Sequence, residues 1–392
     1  MATVEGQSDP AFKALKDFFQ EKLNDDSELG ASITVNINGK DVVDIWGGYA
    51  DEEKTKKWQA DTIVNVWSST KTVTAAAFLL AHQRNIINLD DPVAKYWPEF
   101  AQNGKEKILI RHVLSHTSGV SGWEGGITLE ELCDAPTAAA KLEAQAPWWE
   151  PGTASGYHAT NQGAPLSEVF RRASGGQTLK DFIANEIAKP LNANFQYGAI
   201  ESDWPRIAPV IPPPPPAADF KIDPDSVAGK TFINPSMNAL VANTDIWRQG
   251  EIGAVNGHTT ALGLNRILRA ITLAGTPHDE AKLFTPETIS QIFREQSDGV
   301  DLCIGMPIRF GIGFSIGGGG SAKSFDYLPQ EKMCFWNGWG GSFGVCDLHR
   351  GVTFTYVMNK MGGGLIGNER SIEYCRIIWR LLREQEGKDG QL

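Results

Sequence analysis

Ser68 and Lys71 lie three residues apart in the stretch Val66 to Leu80, which from Ser69 onward is rich in Ala and Leu and free of Gly and Pro. That composition predicts a helix, and on a helix two side chains at this spacing share a face. A serine hydroxyl is a weak nucleophile and needs a neighbouring base. A lysine amine serves as that base when burial or a nearby cation lowers its pKa. The helix N-terminus adds free N–H groups and a positive dipole end where a negative oxygen would develop. Ser68 is therefore the candidate nucleophile and Lys71 its activator. A bare Ser-x-x-Lys also arises by accident, as a capping serine beside a solvated lysine. The rest of the chain has to separate the two readings.

Residues 148–161 form a Gly/Ser-containing loop that leads to Tyr157. A phenol beside a lysine can act as base and acid, so Tyr157 could shuttle the serine proton. His158 is the rival base, and Asn161 a possible polar contact. A third stretch, 336–344, carries Trp339, Gly340, Gly341 and Ser342. Its glycines let a backbone come close to a ligand. A strand edge here could offer one N–H to an oxyanion, with the Ser68 N–H as the second donor. The same stretch contains Gly-x-Ser-x-Gly over 340–344. A nucleophile elbow needs a helix after the serine and an acid and a histidine well downstream. Here a strand-like run follows and only His349 remains, so Ser342 is not read as a nucleophile.

The seven histidines are dispersed, and His112 and His116 lack the intervening glutamate of a zinc motif. No Gly-x-Gly-x-x-Gly follows a strand. Neither a metal nor a dinucleotide cofactor is expected. The 392 residues carry a net charge of −11 without a Lys/Arg cluster, which argues against nucleic acid. No stretch approaches a membrane span and the N-terminus is unlike a signal peptide. Five scattered cysteines read as reduced core residues of a cytoplasmic protein.

The elements that must hold these stretches follow from periodicity. Asp9 to Leu23 reads as an amphipathic helix on Phe12, Leu15, Phe19 and Leu23. Gly30 to Ile37 and Lys40 to Trp46 read as a hairpin around Asn38-Gly39. Ile110 to His116, Leu129 to Leu142, Pro165 to Ala173, Thr178 to Ile187, Thr259 to Ala274 and Pro286 to Glu295 read as helices. Pro212 to Pro216 reads as a polyproline II spacer, and Gly317 to Gly320 as a turn or flexible tip. Cys334 to Trp336, Gly344 to Leu348 and Val352 to Asn359 alternate as strands, and Ile372 to Arg383 closes the chain as a helix. The expected class is α+β, an α/β sandwich with an inserted helical domain. Residues 1–70 and 305–392 would build an antiparallel sheet flanked by the terminal helices. Residues 71–304 would form the helical domain, with a proline-rich loop near 205–230. Ser68 would then lie on the cleft between them.

Taken together, these stretches resemble the serine β-lactamase-like superfamily of class C β-lactamases and family VIII carboxylesterases, along nearly the whole chain. The resemblance rests on the Gly30–Gly48 hairpin, Trp67-Ser68-Ser69-Thr70-Lys71, Leu89-Asp90-Asp91-Pro92-Val93 and His112 to Gly119. Pro151-Gly152 followed by Tyr157, and Trp339-Gly340-Gly341, complete it. It implies a β-lactamase/penicillin-binding-protein-like transpeptidase fold with no cofactor. It also implies acylation of Ser68, Lys71 as its partner, Tyr157 as the shared base, and the N–H groups of Ser68 and Ser342 as the oxyanion hole. Two departures matter. Ala159 stands where class C enzymes carry the asparagine of Tyr-x-Asn, and Trp339-Gly340-Gly341 stands for Lys-Thr-Gly. The missing lysine removes a cation for a β-lactam carboxylate, so a neutral or bulky ester is the expected substrate. Trp123, Trp148, Trp149 and Trp339 could line an acyl pocket. The reading is an ester hydrolase. The alternatives are an acyltransferase using the same acyl-enzyme, a β-lactamase or D-aminopeptidase, and a silent scaffold on this fold.

Overall fold

A computed structural model describes residues 2–215 and 221–389. The start of the chain supplies strands β1 (Val4–Ser8), β2 (Gly30–Ile37) and β3 (Lys40–Gly48). The middle supplies β4 (Val64–Asn65), β5 (Phe195–Tyr197) and β6 (Gly257–Thr259). The last third supplies β7 (Ser297–Val300), β8 (Pro307–Phe310), β9 (Ser315–Ile316), β10 (Met333–Asn337), β11 (Phe343–Asp347) and β12 (Val352–Met358). Nine of them form one antiparallel sheet in the order β1-β3-β2-β12-β11-β10-β9-β8-β7. The pairing of β2 with β12, from Ile37 opposite Val352 to Ala31 opposite Met358, joins the two ends of the chain. This is the expected sheet, built from both ends.

The β2–β3 hairpin turns at Asn38-Gly39 as expected. Asn38 (φ 49°) and Gly39 (φ 87°) both adopt the left-handed conformation that a two-residue hairpin turn requires. Strand alternation assigns the two faces of the sheet. Phe354 meets Trp379 of the C-terminal helix Glu369–Asp389, with ring centroids 6.2 Å apart. Its neighbour Thr353 turns the other way, to Thr272 of the helix Ala261–Thr272. Helix α1 (Lys13–Asn24) buries Leu15, Phe19 and Leu23 and lies beside the C-terminal helix, with Phe18 edge-on to Tyr374 at 5.3 Å. On the opposite face the buried Asn265 donates from Nδ2 to the carbonyls of Thr34 (3.3 Å) and Thr353 (3.1 Å), bridging β2 and β12. Helix α2 (Thr70–Gln83) is buried from Thr70 to Ala81. It carries small and apolar residues on every side, as a helix at the centre of a protein must.

Several elements differ from their expected form. The run Leu129 to Leu142 is two helices, Leu129–Cys133 and Ala135–Ala140, because Asp134 caps the second and Pro136 sits in its first turn. The glycine run near 317–320 is not a free tip. Gly319 starts a short helix, Gly319–Ser324, that packs on β7 and β8. The middle region also holds strands, β4, β6 and β5, in a small sheet of their own. The C-terminal part of the main sheet begins at Ser297, before the expected boundary at 305, and the helix Ala261–Thr272 packs on that sheet. The residue before the polyproline run is tied to the strand end at Asn359. The Ile211 N–H donates to Asn359 O and the Met361 N–H donates to Ile211 O. Pro216 and Ala217, the end of that run, lie outside the described residues.

Leu15 is fully buried under the sheet. Leu15→Ala is expected to lower the unfolding free energy by about 2–5 kcal/mol, read from urea melts against the parent protein.

Candidate active site

Ser68 sits in a single 3-10 turn, Trp67–Ser69, that leads from β4 into α2. The turn is fastened to β6. The Val66 N–H donates to Gly257 O (2.9 Å), and the Gly257 N–H donates to Thr70 Oγ1 (2.9 Å). Trp67 has φ 47°, a conformation that costs a residue with a Cβ on the order of 1–2 kcal/mol. Its ring is held between Trp247 (5.5 Å) and Trp339 (5.0 Å). Strain of this kind persists where surrounding packing over-determines the backbone, and here it immediately precedes Ser68.

Lys71 projects from the first turn of α2 into the interior and is 2% exposed. Its Nζ lies 3.0 Å from Ser68 Oγ, 2.8 Å from Ala159 O and 2.9 Å from Ala254 O. Burial holds the amine well below its ordinary pKa of 10.5, with no opposite charge to offset it. A neutral amine has two N–H donors and one lone pair. The two carbonyls take the donors, and the remaining position faces the serine oxygen. Ala254 O is presented by a loop shaped by the buried Asn256. The Asn256 Nδ2 donates to Trp247 O (3.1 Å) and Gly250 O (2.9 Å), and its Oδ1 accepts from the Ile252 N–H (3.1 Å). Nothing in the sequence marks Ala254 or Asn256, because a main-chain acceptor leaves no side-chain signature.

Tyr157 stands in a loop whose successive N–H groups are each held. The Gly156 N–H donates to His116 O (2.9 Å), that of Tyr157 to Asp301 Oδ1 (3.1 Å), and that of His158 to His116 Nδ1 (3.1 Å). The phenol oxygen accepts from Trp336 Nε1 (3.1 Å), and Tyr157 lines the same cavity as Ser68. The Lys71 Nζ lies 4.9 Å from the ring centroid. Burial raises the phenol above its ordinary pKa of 10. The hydrogen bonds from Ser68 and Trp336 oppose that rise, and the nearby Asp301 charge adds to it. Tyr157, distant in the chain, thus converges with the neighbouring Ser68 and Lys71.

His158 does not act as the rival base. It is fully buried, with Nε2 2.6 Å from Ser118 Oγ and Nδ1 2.7 Å from Gly156 O. The carbonyl requires Nδ1–H, which leaves Nε2 to accept from the serine hydroxyl. Burial pushes its pKa down to about 4, so the ring stays neutral with both nitrogens engaged. Asn161 donates to Val120 O (2.8 Å) and Trp123 to Ala138 O (2.8 Å), both as buried packing groups. Trp148 lies under Lys230, whose Nζ is 5.7 Å from the ring. His158, Asn161, Trp123 and Trp148 do not line the cavity at Ser68.

In the third stretch Ser342 Oγ donates to Val66 O (2.7 Å) and lies 3.1 Å from Ser69 Oγ. This side chain stitches the start of β11 to the turn that carries Ser68, and so ties together the two segments that bear the Ser68 and Ser342 N–H groups. The stitch is close enough that position 338 has no room for a side chain. A Cβ there would lie 2.2 Å from both Val66 O and Ser342 Oγ. Trp339 lines the cavity, whereas Gly340 and Gly341 back onto Met361 and Asn368 instead.

The cavity over Ser68 and Tyr157 measures about 470 Å³. Trp339, Val255, Ile222, Phe232, Ile233 and Met237 line it. Thr160, Thr231 and Ser236 add hydroxyls, and none of the described lining residues carries a charge. Sequence reasoning passed over the 222–237 wall. Its only signal is the apolar cluster Phe232, Ile233 and Met237 after the proline run. Among the described residues no group of three or more His, Cys, Asp or Glu side chains could hold a metal ion. Nor is any helix among them long and apolar enough to cross a membrane.

The chain and its fold have known relatives. The beta-lactamase family model matches residues 15–372. The chain is 29% identical over 375 residues to the esterase/beta-lactamase LipL of Mycobacterium tuberculosis, covering 93% of this chain and 84% of LipL. It superposes on the crystal structure of a family VIII carboxylesterase with a TM-score of 0.88 at 30% identity, over 96% of this chain and 99% of that one. A penicillin-binding protein homologue from Caulobacter crescentus gives a TM-score of 0.87 at 32% identity, over the same shares. The chain belongs to the beta-lactamase family. It is a serine hydrolase of that family, with the transpeptidase-like fold expected from its motifs.

Gly338→Ala is expected to destabilise the protein by about 1–3 kcal/mol, measured by denaturant unfolding, because two segments that meet there would have to separate.

Proposed function

We propose that the protein is a carboxylesterase that works through an acyl-enzyme on Ser68. The observation that carries this reading is the buried Lys71 amine, whose two N–H groups face carbonyl oxygens and whose third position faces Ser68 Oγ. Opposed pKa shifts in neighbouring groups favour distinct acid and base roles. Lys71, with its pKa lowered, is the base; Tyr157, with its pKa raised, holds its proton and is the acid. Ser68 Oγ attacks the ester carbonyl carbon and its proton passes to Lys71 Nζ. The oxyanion is received by the N–H groups of Ser68 and Ser342. When the C–O bond to the alcohol breaks, Tyr157 protonates the leaving oxygen and is restored from Lys71. Water then adds to the acyl-enzyme by the same route in reverse, releasing the acid and free Ser68.

The uncharged, largely apolar cavity supports a neutral, bulky ester over a substrate with a carboxylate, as does the absence of a lysine at position 339. The esterase relatives point the same way. The five free cysteines, all buried, are compatible with a reducing, cytoplasmic setting. Acyl transfer to an alcohol in place of water uses the same intermediate and is separated from hydrolysis by the assay below.

With p-nitrophenyl butyrate the parent protein is expected to give a burst of p-nitrophenol that Ser68→Ala lacks, with nitrocefin turned over far more slowly. Added acceptor alcohols would divert product to new esters if transfer competes. Equal behaviour of both proteins would instead identify a silent scaffold. Protonated Lys71 cannot accept the serine proton. kcat/KM should therefore be lost at low pH and rise as pH passes through a pKa well below 10.5. Lys71→Ala should lower kcat/KM by about 10²–10⁴-fold and remove that rise, read from pH–rate profiles.

A further inference from the structure

Asp301 is fully buried and lies 144 residues from Tyr157 in sequence. It has no place in the motifs or in the mechanism above. One of its oxygens, Oδ1, accepts from three main-chain N–H groups: Tyr157 (3.1 Å), Cys303 (2.9 Å) and Ile304 (2.9 Å). The other, Oδ2, is buried without a partner. A carboxyl group out of water is costly unless its bonds hold something in place. The turn it shapes also reaches the substrate cavity. Cys303 Sγ lies 3.3 Å from Thr231 Oγ1, and Thr231 is in turn 2.6 Å from Ser121 Oγ. Thr231 lines the wall of the cavity.

We propose that Asp301 is a positioning residue for Tyr157, fixing its main chain to the 301–304 turn and, through Cys303, to the cavity wall at Thr231. The proposal rests on the reading of Tyr157 as the proton donor. The groups facing the Tyr157 side chain are few. Lys71 lies over one face, the neutral His116 ring sits edge-on at 4.8 Å, and Ser68 and Trp336 meet the oxygen. Asp301 is the negative charge acting on it, so removing that charge also alters how tightly the phenol keeps its proton.

Two variants test this. In Asp301→Ala, amide hydrogen exchange over residues 155–160 should speed up at least about tenfold. kcat should fall at least about tenfold, with KM within about threefold, because the proton donor is displaced while the cavity remains. Asp301→Asn keeps an oxygen acceptor and should restore slow exchange and most of kcat. Unchanged exchange and kcat in Asp301→Ala would overturn the proposal. If Asp301→Ala does not fold, Asp301→Asn decides alone, and exchange over residues 155–160 or a kcat more than about tenfold worse than the parent overturns it, because the retained oxygen should still hold the turn. A parent protein without ester turnover would instead sink the esterase reading, with the exchange result still informative.

Discussion

A lysine amine out of water, without a counter-charge, is the constraint to which the site is built. Carrying a full charge at that position would be costly, so the fold stabilises the neutral amine and gives its two N–H groups carbonyl partners. Those partners come from two loops far apart in sequence, at Ala159 and Ala254. Both loops must therefore pack against the first turn of α2. Asn256 shapes one of them, and the N–H bonds to His116 and Asp301 shape the other. Position 159 illustrates how little of this depends on side chains. The alanine that departs from the Tyr-x-Asn pattern still contributes through its carbonyl.

A second constraint is the distance between the turn bearing Ser68 and the start of β11. The Ser342 hydroxyl bridges them, Gly338 leaves them room, and the Trp67 ring is wedged between two other indoles while its backbone is strained. Preorganised main-chain donors stabilise a developing oxyanion best when they need not move to do so. The sheet supplies that rigidity, because β11 lies in its interior between β10 and β12. The 222–237 segment, which also lines the cavity, belongs to no sheet.

Strong local signals in the sequence anticipated most of the scaffold. The Asn38-Gly39 hairpin, the terminal helices and the alternation of β10 to β12 are set by periods of two or 3.6 residues and by turn chemistry, all properties of neighbouring residues. Strands of two to four residues are less legible. β4, β5 and β6 are too short to show a period, and β7 is half-polar at a sheet edge. The helix pair around Asp134 reads as one helix in the sequence because its apolar pattern runs through the break.

Which side chains are able to do the chemistry is legible in the amino-acid sequence, because a hydroxyl, an amine and a phenol stand in three recognisable stretches. Only the tertiary structure decided which neighbours they have. It turned His158, Asn161 and Trp123 into packing groups by engaging their polar atoms elsewhere. It also brought in Ala254, Asp301 and the 222–237 wall, whose contributions are a carbonyl, a main-chain tether and a surface. None of these has a fixed spacing from Ser68 along the chain, since folding across more than a hundred residues sets their distance in space.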